Sequence, residues 1–478
     1  MENHFNFDNS YINLPDKLYS YQKPTKVKEP KMIVFNMDLA KRLNLNHEQS
    51  SYKQWTKYLS GNELPEGSQP IAQSYAGHQY GNFTMLGDGR AILLGEHITP
   101  NEKRYDIQLK GAGPTPYSRS GDGRGTLTSM LREYIISEYM HALGIPTTRS
   151  LSVVSTGELV KREKDLEGGV LTRVSKGHIR IGTFQYAANQ DKKVLKALAD
   201  YTIDRFYPTL KTHKEKYLDF FKLVMKRQSS LVAKWQSIGF IHGVLNTDNI
   251  AIVGETMDYG PCAFMNTYDP KTVFSSIDRF GRYSYENQPK IIKWNLARLA
   301  EALLPLFHSD KDESLKLAQE ALSTYDQLYN EAWQKIMRQK LGLFNRNPTD
   351  MKLINDLLEN MKNNQLDYTN TFHELSKNDK KCPIEVLQPW FEKWYKRRQQ
   401  QSETWTDVKL VMKYHNPYII PRNFQVEKVL KVATANDYEP FNDFLMALLH
   451  PYNENQEKMK YTKAPKPKEE VRETFCGT

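Results

Sequence analysis

One short stretch decides how the rest of this chain is interpreted: Ile241-His242-Gly243-Val244-Leu245-Asn246-Thr247-Asp248-Asn249-Ile250. It places an amide and a carboxylate side by side in an otherwise mainly aliphatic segment. Nine residues after Asn249 comes a second short motif, Asp258-Tyr259-Gly260. Asn249 and Asp258 supply hard oxygen ligands of the kind that Mg²⁺ prefers when it bridges nucleotide phosphates. The two segments together predict a site for a metal ion and phosphates.

The spacing follows the catalytic loop of kinase-like phosphotransferases, which runs His, spacer, Asp, Leu, with Asn five residues after the Asp. His242, Leu245 and Asn249 are in register with that pattern. Asp258-Tyr259-Gly260 is a variant of the metal-binding Asp-Phe-Gly. The position of the catalytic base, however, holds Val244, which cannot accept a proton. Either the protein is inert, or it transfers a different part of the nucleotide.

Asp248 is a carboxylate that a kinase loop does not usually place there. It is the acid in this loop that could accept a proton in place of Val244. A purely structural alternative is that Asp248 caps the turn. The short apolar run 250–253 with a turn at Gly254 predicts a hairpin that brings Asn249 and Asp258 together.

A strand lysine and a helix glutamate precede this loop. The run 105–110 alternates strictly, so Lys110 projects from a strand away from its apolar face. A helix with a stripe of apolar residues follows, ended by Gly144 and Pro146, and Glu133 lies at the edge of that stripe. In an active kinase such a Glu pairs with the strand Lys. The alternative is that both side chains are ordinary solvated ones.

Two copies of Gly-Asp-Gly-Arg, at residues 87–90 and 121–124, flank the lysine strand. Glycines let a backbone approach phosphates closely, and arginine adds a forked donor for phosphate oxygens. Arg173 and Arg180, seven residues apart, could converge on the same anion. Ordinary β-turns are the alternative for the glycine motifs, but two copies beside Lys110 favour phosphate binding. Surface positions explain Arg173 and Arg180 equally well from spacing alone.

The composition indicates a folded protein with anionic ligands. The net charge is +10, but it is spread along the chain, so nucleic-acid binding is not expected. The sequence contains no apolar run long enough for a membrane span, and residues 1–10 lack a signal-peptide core. Three cysteines cannot form a disulfide framework, so a reducing cytoplasm is the expected location.

The order of patterns along the chain predicts an α+β, two-lobed, protein-kinase-like fold. Residues 1–65 are expected to form an arm packed on the body, and residues 66–190 a β-rich N-lobe. Residues 191–455, with long amphipathic patterns, are expected to form a mainly helical C-lobe. Residues 456–478, rich in Lys, Pro and Glu, are expected to form a mobile tail.

Several long strings resemble the selenoprotein O family of kinase-fold pseudokinases, called YdiU in bacteria. They occupy residues 75–81, 109–119, 121–124, 242–249 and 258–261 within a span of roughly 70 to 310. The resemblance implies transfer of a nucleoside monophosphate, mainly AMP and in some cases UMP, from ATP or UTP to Ser, Thr or Tyr hydroxyls of proteins. It also implies that ATP is bound flipped relative to kinases, with its α-phosphate presented for attack.

The same resemblance assigns roles to individual residues. It implies that Asp248 is the proton acceptor, that Asn249 and Asp258 bind Mg²⁺ or Mn²⁺, and that Glu133 pairs with Lys110. The residues it implies for the nucleotide are Gly87, Gly89, Arg90, Lys110, Asp122, Gly123, Arg173, Arg180 and Asp258.

Two alternatives stay open at this point: an ATP-dependent kinase that uses Asp248 as its base, and a catalytically inactive nucleotide-binding scaffold. The partners expected are protein substrates, without nucleic acid or membrane, and the chain is expected to be a monomer. Cys476 near the chain end and Cys262 near the site are a hypothetical redox pair, and two idle thiols are the simpler interpretation.

Overall fold

A computed structural model describes residues 5–46, 48, 51–377, 380–471 and 473–474. Its first part is dominated by an antiparallel sheet, as the alternating apolar patterns predict. The strands are β1 (Tyr19–Tyr21), β2 (Lys31–Phe35), β3 (Ile71–Gln79), β4 (Asn82–Gly87), β5 (Ala91–Ile98), β6 (Arg104–Lys110), β7 (Gly125–Thr126), β8 (Arg149–Lys161), β9 (Asp165–Ser175), β10 (Phe240–Ile241) and β11 (Ala263–Phe264).

Within the described residues, the main sheet has the order β1-β3-β5-β6-β9-β8-β2, with β4 paired to β3 and β7 paired to β9. Strand β6, which carries Lys110 at its end, lies in the middle of this order. Its neighbour β9 places Arg173 opposite Gln108. Adjacent strands of a sheet therefore bring a lysine and an arginine that are far apart in sequence onto one region of the fold.

The second part of the chain is helical. The helices of the described residues are α1 (Met37–Arg42), α2 (Tyr52–Ser60), α3 (Leu127–Ala142), α4 (Ile181–Gln190), α5 (Lys192–Phe206), α6 (Lys216–Ser237), α7 (Gln288–Phe307), α8 (Lys311–Ser323), α9 (Tyr325–Lys340), α10 (Asp350–Asn363), α11 (Tyr368–Leu375), α12 (Gln388–Arg398), α13 (Trp405–His415), α14 (Asn423–Ala433), α15 (Glu439–Leu448) and α16 (Met459–Thr462). The predicted α+β class, with a β-rich first part and a helical second part, is confirmed.

Helix α3 positions the Glu133 carboxylate because the helix packs on the sheet. Thr126 caps its first turn by accepting from the Ser129 amide at 3.3 Å, and its apolar residues contact β8 and β9. Leu127, Met130 and Leu131 are buried in a core that continues into the helical part. Glu133, on the same helix, is thereby turned toward Lys110 on β6.

The loop of residues 242–262 is clamped at both ends by a small ribbon. Phe240 pairs with Phe264 and Ile241 with Ala263, so β10 and β11 fix where the loop leaves and returns. Between them, a bridge from Ile250 to Thr256 closes the turn at Gly254. The predicted hairpin is therefore a narrow loop with isolated bridges. Ile250 and Ile252 belong to the main core, whereas Ala251 and Val253 belong to a separate small cluster.

The first and last parts of the described residues contact the main body. β1 and β2 extend the sheet by pairing with β3 and β8. Near the other end, the Thr474 amide donates to the Phe274 carbonyl at 2.6 Å, and Asn266 donates to Glu470 at 3.0 Å. The limits of the arm, the lobes and the tail stay predictions. No helix in the described part of the chain has the length and apolar character to span a membrane.

Candidate functional site

A cleft of about 520 Å³ lies between the sheet and the loop of residues 242–262. Most of the residues that the sequence singled out line it, although they come from six separate segments. They are Gly87, Gly89, Arg90, Lys110, Asp122, Gly123, Arg173, Arg180, Asp248, Asn249 and Asp258. Glu133 does not line the cleft but contacts Lys110 and Arg173, which do.

Two carboxylates and two cations form a buried network at one end of the cleft. Lys110 Nζ donates to Glu133 at 2.6 Å and to Asp258 at 2.8 Å. Arg173 donates to the same two carboxylates, at 2.5 Å to Glu133 and 2.7 Å to Asp258. Lys110, Glu133 and Arg173 are all buried, so the alternative that they are solvated side chains is wrong.

Arg180 completes the cationic wall from a different direction. It lies over the ring of Tyr75, donates to the Asp248 carbonyl at 2.9 Å, and approaches Asp258 to 3.6 Å. Arg180 precedes helix α4 at its N-cap, and its backbone amide donates to Thr183 Oγ1 at 3.0 Å, which fixes where the side chain begins. Three cations are therefore held around Asp258, in an arrangement that suits the oxygens of a polyphosphate.

The charge of this network is set by competition between burial and ion pairing. Burial opposes ionisation of Asp258, but Arg173, Lys110 and Arg180 outweigh it and hold the pKa of Asp258 well below its usual range. Burial likewise opposes ionisation of Glu133, and Arg173 and Lys110 leave its pKa lowered. Both carboxylates are thus anionic at neutral pH.

Asp248 differs from these acids because burial dominates. Desolvation raises the pKa of its carboxyl to about 6, although the nearby Arg180 opposes that shift. Its Oδ1 atom is buried and accepts no hydrogen bond from the residues described. The side chain as a whole is half-buried and lines the cleft, so its other oxygen faces an incoming proton. A carboxylate with a pKa close to neutrality suits a general base.

A close approach of β3 to this loop shapes the surroundings of Asp248. Gly77 leaves room for the carboxylate, since a Cβ at that position would lie 2.8 Å from Asp248 Cγ and closer still to Oδ1. The His78 amide donates to Thr247 Oγ1 at 3.0 Å and the Tyr80 amide to Asn246 Oδ1 at 3.3 Å, which tie the strand to the loop.

Gly77→Ala is therefore expected to lower activity about 100-fold, because the added methyl displaces the Asp248 carboxylate. The methyl also meets Leu86 Cδ1 at 2.6 Å, so a loss of stability of about 1–3 kcal/mol is expected. The check is a double-mutant cycle with Asp248→Asn, in which activity is measured as transfer of label from the α-phosphate of ATP to protein. If the methyl acts through Asp248, it lowers activity little further in the Asp248→Asn background. An equal fold-loss of activity in both backgrounds would contradict this assignment.

Asn249 and Asp258 fit a magnesium or manganese ion by donor chemistry. Asn249 Nδ2 donates to the Val244 carbonyl at 3.0 Å, which leaves the amide oxygen for a cation. Asp258 has a backbone φ of 62° and reaches into the cleft with 21% of its side chain exposed. No group of three or more His, Cys, Asp or Glu side chains is arranged for a metal within the described ranges. Such an ion would therefore rely on phosphate oxygens and water as well.

Tyr117 packs against the first glycine-rich loop, and Arg162 anchors the second. A Cβ on Gly87 would lie 2.6 Å from the Tyr117 ring, so that position requires glycine. Asp122 accepts from Arg162 at 2.9 Å and from the Arg124 amide at 2.9 Å, which anchors the second loop. Neither motif is a regular β-turn: residues 88–90 bend between β4 and β5, residues 121–123 are irregular, and both segments line the cleft.

Asp88 is a site residue that the sequence reasoning missed. It is buried, approaches Arg180 to 3.3 Å, and accepts from Gln108 at 3.3 Å and the Gln73 amide at 3.3 Å. It therefore holds the Arg180 guanidinium in place. Its position inside the first Gly-Asp-Gly-Arg motif was a signal, but an Asp-Gly pair is so common in turns that it did not stand out.

Only one cysteine of the predicted redox pair lies among the described residues. Cys262 is fully buried beside the core residues Tyr259 and Phe264. Cys476 lies outside the described residues. A disulfide between them stays a prediction.

Comparison with known proteins identifies the family of this chain. The family model described as "Protein adenylyltransferase SelO" matches residues 2–449. The chain belongs to the SelO family. A SelO relative from Anoxybacillus flavithermus (strain DSM 21510 / WK1), named protein nucleotidyltransferase YdiU, is 51% identical over the full length of both chains.

Two further SelO relatives carry the same name. The protein of Brevibacillus brevis (strain 47 / JCM 6285 / NBRC 100599) is 52% identical, with 99% of this chain and 98% of the relative covered. The protein of Clostridium perfringens (strain SM101 / Type A) is 51% identical with the same coverage. The resemblance inferred from the motifs is confirmed, and it extends well beyond residues 70–310.

Proposed function

We propose that this SelO-family protein transfers a nucleoside monophosphate, AMP or UMP, from a nucleoside triphosphate to hydroxyl groups of proteins. The observation that carries the proposal is the division of the cleft into two parts. Lys110, Arg173 and Arg180 form a buried cationic end. Asp248 lines the same cleft and belongs to the loop in which Val244 replaces the kinase base.

This division favours a flipped nucleotide. The two outer phosphates lie among the three cations, and the α-phosphate faces Asp248. The glycine loops around Gly87 and Gly123 line the same cleft and offer backbone N–H groups to the nucleotide. Asp122 keeps the second loop in place through Arg162.

The reaction follows from the roles of these groups. The acceptor hydroxyl gives its proton to the cleft-facing oxygen of the Asp248 carboxylate as its own oxygen forms a bond to the α-phosphorus. The bond from the α-phosphorus to the bridging oxygen breaks, and pyrophosphate leaves with that electron pair. Lys110, Arg173 and Arg180 stabilise the charge that develops on the leaving group. Glu133 orients Lys110 and Arg173.

Asn249 and Asp258 would hold the Mg²⁺ or Mn²⁺ ion. When bound, the ion neutralises phosphate charge and withdraws electron density from the reacting phosphorus. Asp258 also contacts Lys110 and Arg173, so it couples the ion to the cationic end of the cleft.

ATP labelled separately at the α- and γ-phosphates tests the proposal against its alternatives. Nucleotidyl transfer puts the α-label on the acceptor protein and leaves the γ-label in pyrophosphate. A kinase that uses Asp248 as base puts the γ-label on the acceptor. An inactive scaffold puts neither label on protein, and that outcome would refute the proposed activity.

Val244→Asp is expected to leave the protein without efficient kinase activity. An added carboxylate at the kinase base position cannot act on a γ-phosphate that is held among Lys110, Arg173 and Arg180. The measurement is γ-label transfer to protein by the parent and the variant, with α-label transfer as the internal reference. Robust γ-label transfer by the variant would contradict the flipped nucleotide.

A further inference from the structure

The loop that follows β11 exposes two large apolar side chains. Phe280 is 98% exposed and Ile277 is 65% exposed. They line a cavity of about 470 Å³ together with Tyr80, Arg282 and Lys290. One exposed apolar residue is ordinary, but two on the wall of one cavity favour an interaction surface.

This loop is held in a defined conformation by its own hydrogen bonds. The Asp278 carboxylate accepts from the amides of Arg282 at 2.9 Å and Tyr283 at 2.7 Å. Asn287 Nδ2 donates to the Gly281 carbonyl at 2.9 Å. The apolar side chains are therefore presented by a built turn, so a partner that binds them need not order the loop first.

The same loop is attached to the loop that carries Asp248. Tyr283 Oη donates to Asn246 Oδ1 at 2.6 Å, and the Tyr80 amide donates to the same oxygen at 3.3 Å. Tyr80 Oη and Ser275 Oγ are 3.2 Å apart. Asn246 precedes Asp248 by two residues. The exposed apolar pair is thus linked to the proton acceptor by one continuous set of contacts.

The charged side chains around the apolar pair are mainly basic. Arg279 and Lys290 are exposed, and the Arg282 guanidinium lies 4.8 Å from the centroid of the Trp294 ring. The one acidic residue that lines the cavity, Asp278, is buried, with its carboxylate bonded to backbone amides. Charge complementarity therefore favours a partner with acidic residues beside an apolar one.

Resting on the proposed function, we propose that this surface binds the segment of the protein substrate that adjoins the acceptor hydroxyl. The substrate-docking surface is formed by Tyr80, Ile277, Arg279, Phe280, Arg282 and Lys290. Its occupant is an extended segment with an apolar side chain against Ile277 and Phe280 and acidic side chains against the basic residues. The surface thereby selects protein acceptors by their flanking sequence.

Binding of two fluorescein-labelled peptides tests this proposal. Each has a single tyrosine, flanked by Glu-Leu-Glu in one peptide and by Lys-Ser-Lys in the other. We expect the intact protein to bind the acidic peptide about tenfold more tightly, and Ile277→Ser with Phe280→Ser to lose that binding by about tenfold. Leu159→Ser, on the hairpin of β8 and β9 and 67% exposed, is the matched control and keeps it.

Charge reversal provides a second variant that does not depend on the apolar side chains. Arg279→Glu changes an exposed residue, so folding is unaffected, and it is expected to shift preference toward the basic peptide. Equal binding of both peptides by the parent, no binding at all, or parental behaviour of both variants would overturn the proposal. So would a change in molar mass by light scattering without a change in peptide binding, which would indicate self-association.

Release of α-labelled AMP to water separates this proposal from the proposed function. That reaction needs no protein acceptor, so the variants of the docking surface are expected to retain it. A parent protein that neither labels protein nor releases labelled AMP fails as a nucleotidyltransferase. A parent that releases AMP but shows no peptide preference refutes the docking surface alone.

Discussion

Asp258→Asn is expected to reduce nucleotidyl transfer about 10³-fold while the protein stays folded. The change removes the negative charge of Asp258, to which both Lys110 and Arg173 donate. It also weakens the proposed metal site. Asparagine is preferred to alanine because residue 258 has a φ of 62°, a conformation that Asn adopts more readily than Ala. The measurement is α-label transfer over a range of Mg²⁺ concentrations.

The control for this variant removes a buried carboxylate from the same loop without touching the cleft. Glu255 accepts from Ser175 at 2.9 Å and from the Lys176 amide at 3.2 Å. Glu255→Gln is expected to lower stability by about 1–3 kcal/mol and to leave transfer within about threefold of the parent. Near-normal labelling by Asp258→Asn at limiting Mg²⁺ would refute the role of Asp258.

Asp248→Asn is expected to lower the rate of transfer by about 10³-fold, because an amide cannot accept the proton of the acceptor hydroxyl. Nucleotide affinity is expected to change by less than about threefold, since Asp248 meets Arg180 through its backbone carbonyl and not through its carboxylate. Transfer is followed with the α-label and affinity by titration with a non-hydrolysable nucleotide.

The two variants differ in one further respect that distinguishes their roles. The Mg²⁺ concentration for half-maximal residual activity is expected to rise in Asp258→Asn and to stay unchanged in Asp248→Asn. A rise of similar size in both would mean that Asp248 acts on the metal. Full activity of Asp248→Asn would leave the proton acceptor unassigned and would contradict the proposed mechanism.

Local sequence patterns were sufficient to predict the strands and helices whose side chains repeat with a regular period. The alternation of residues 105–110 predicted strand β6 and the direction of Lys110. The apolar stripe predicted helix α3, and Gly144 predicted where it ends; the helix ends at Ala142. The less regular segment 250–256 was predicted less well, because isolated bridges depend on what packs against them rather than on a repeating pattern.

The contacts among distant residues required the tertiary structure. Arg173 and Arg180 were equally consistent with surface positions, and only their burial beside Asp258 decides between the two interpretations. Asp88 became a site residue only when β3, β6 and α4 were brought together around it. Such contacts join residues many positions apart, and short-range sequence spacing carries no information on them.

The sequence by itself determined which chemical groups this protein has for its reaction. It showed an amide and a carboxylate of the kind that metal ions prefer, a valine where a kinase has its base, and one additional carboxylate at Asp248. Only the tertiary structure decided the environment of that carboxylate, because Gly77 on a distant strand lets it fit against β3 with one oxygen unpaired. The identity of a proton acceptor follows from residue type, whereas its pKa and its accessibility follow from what the fold packs around it.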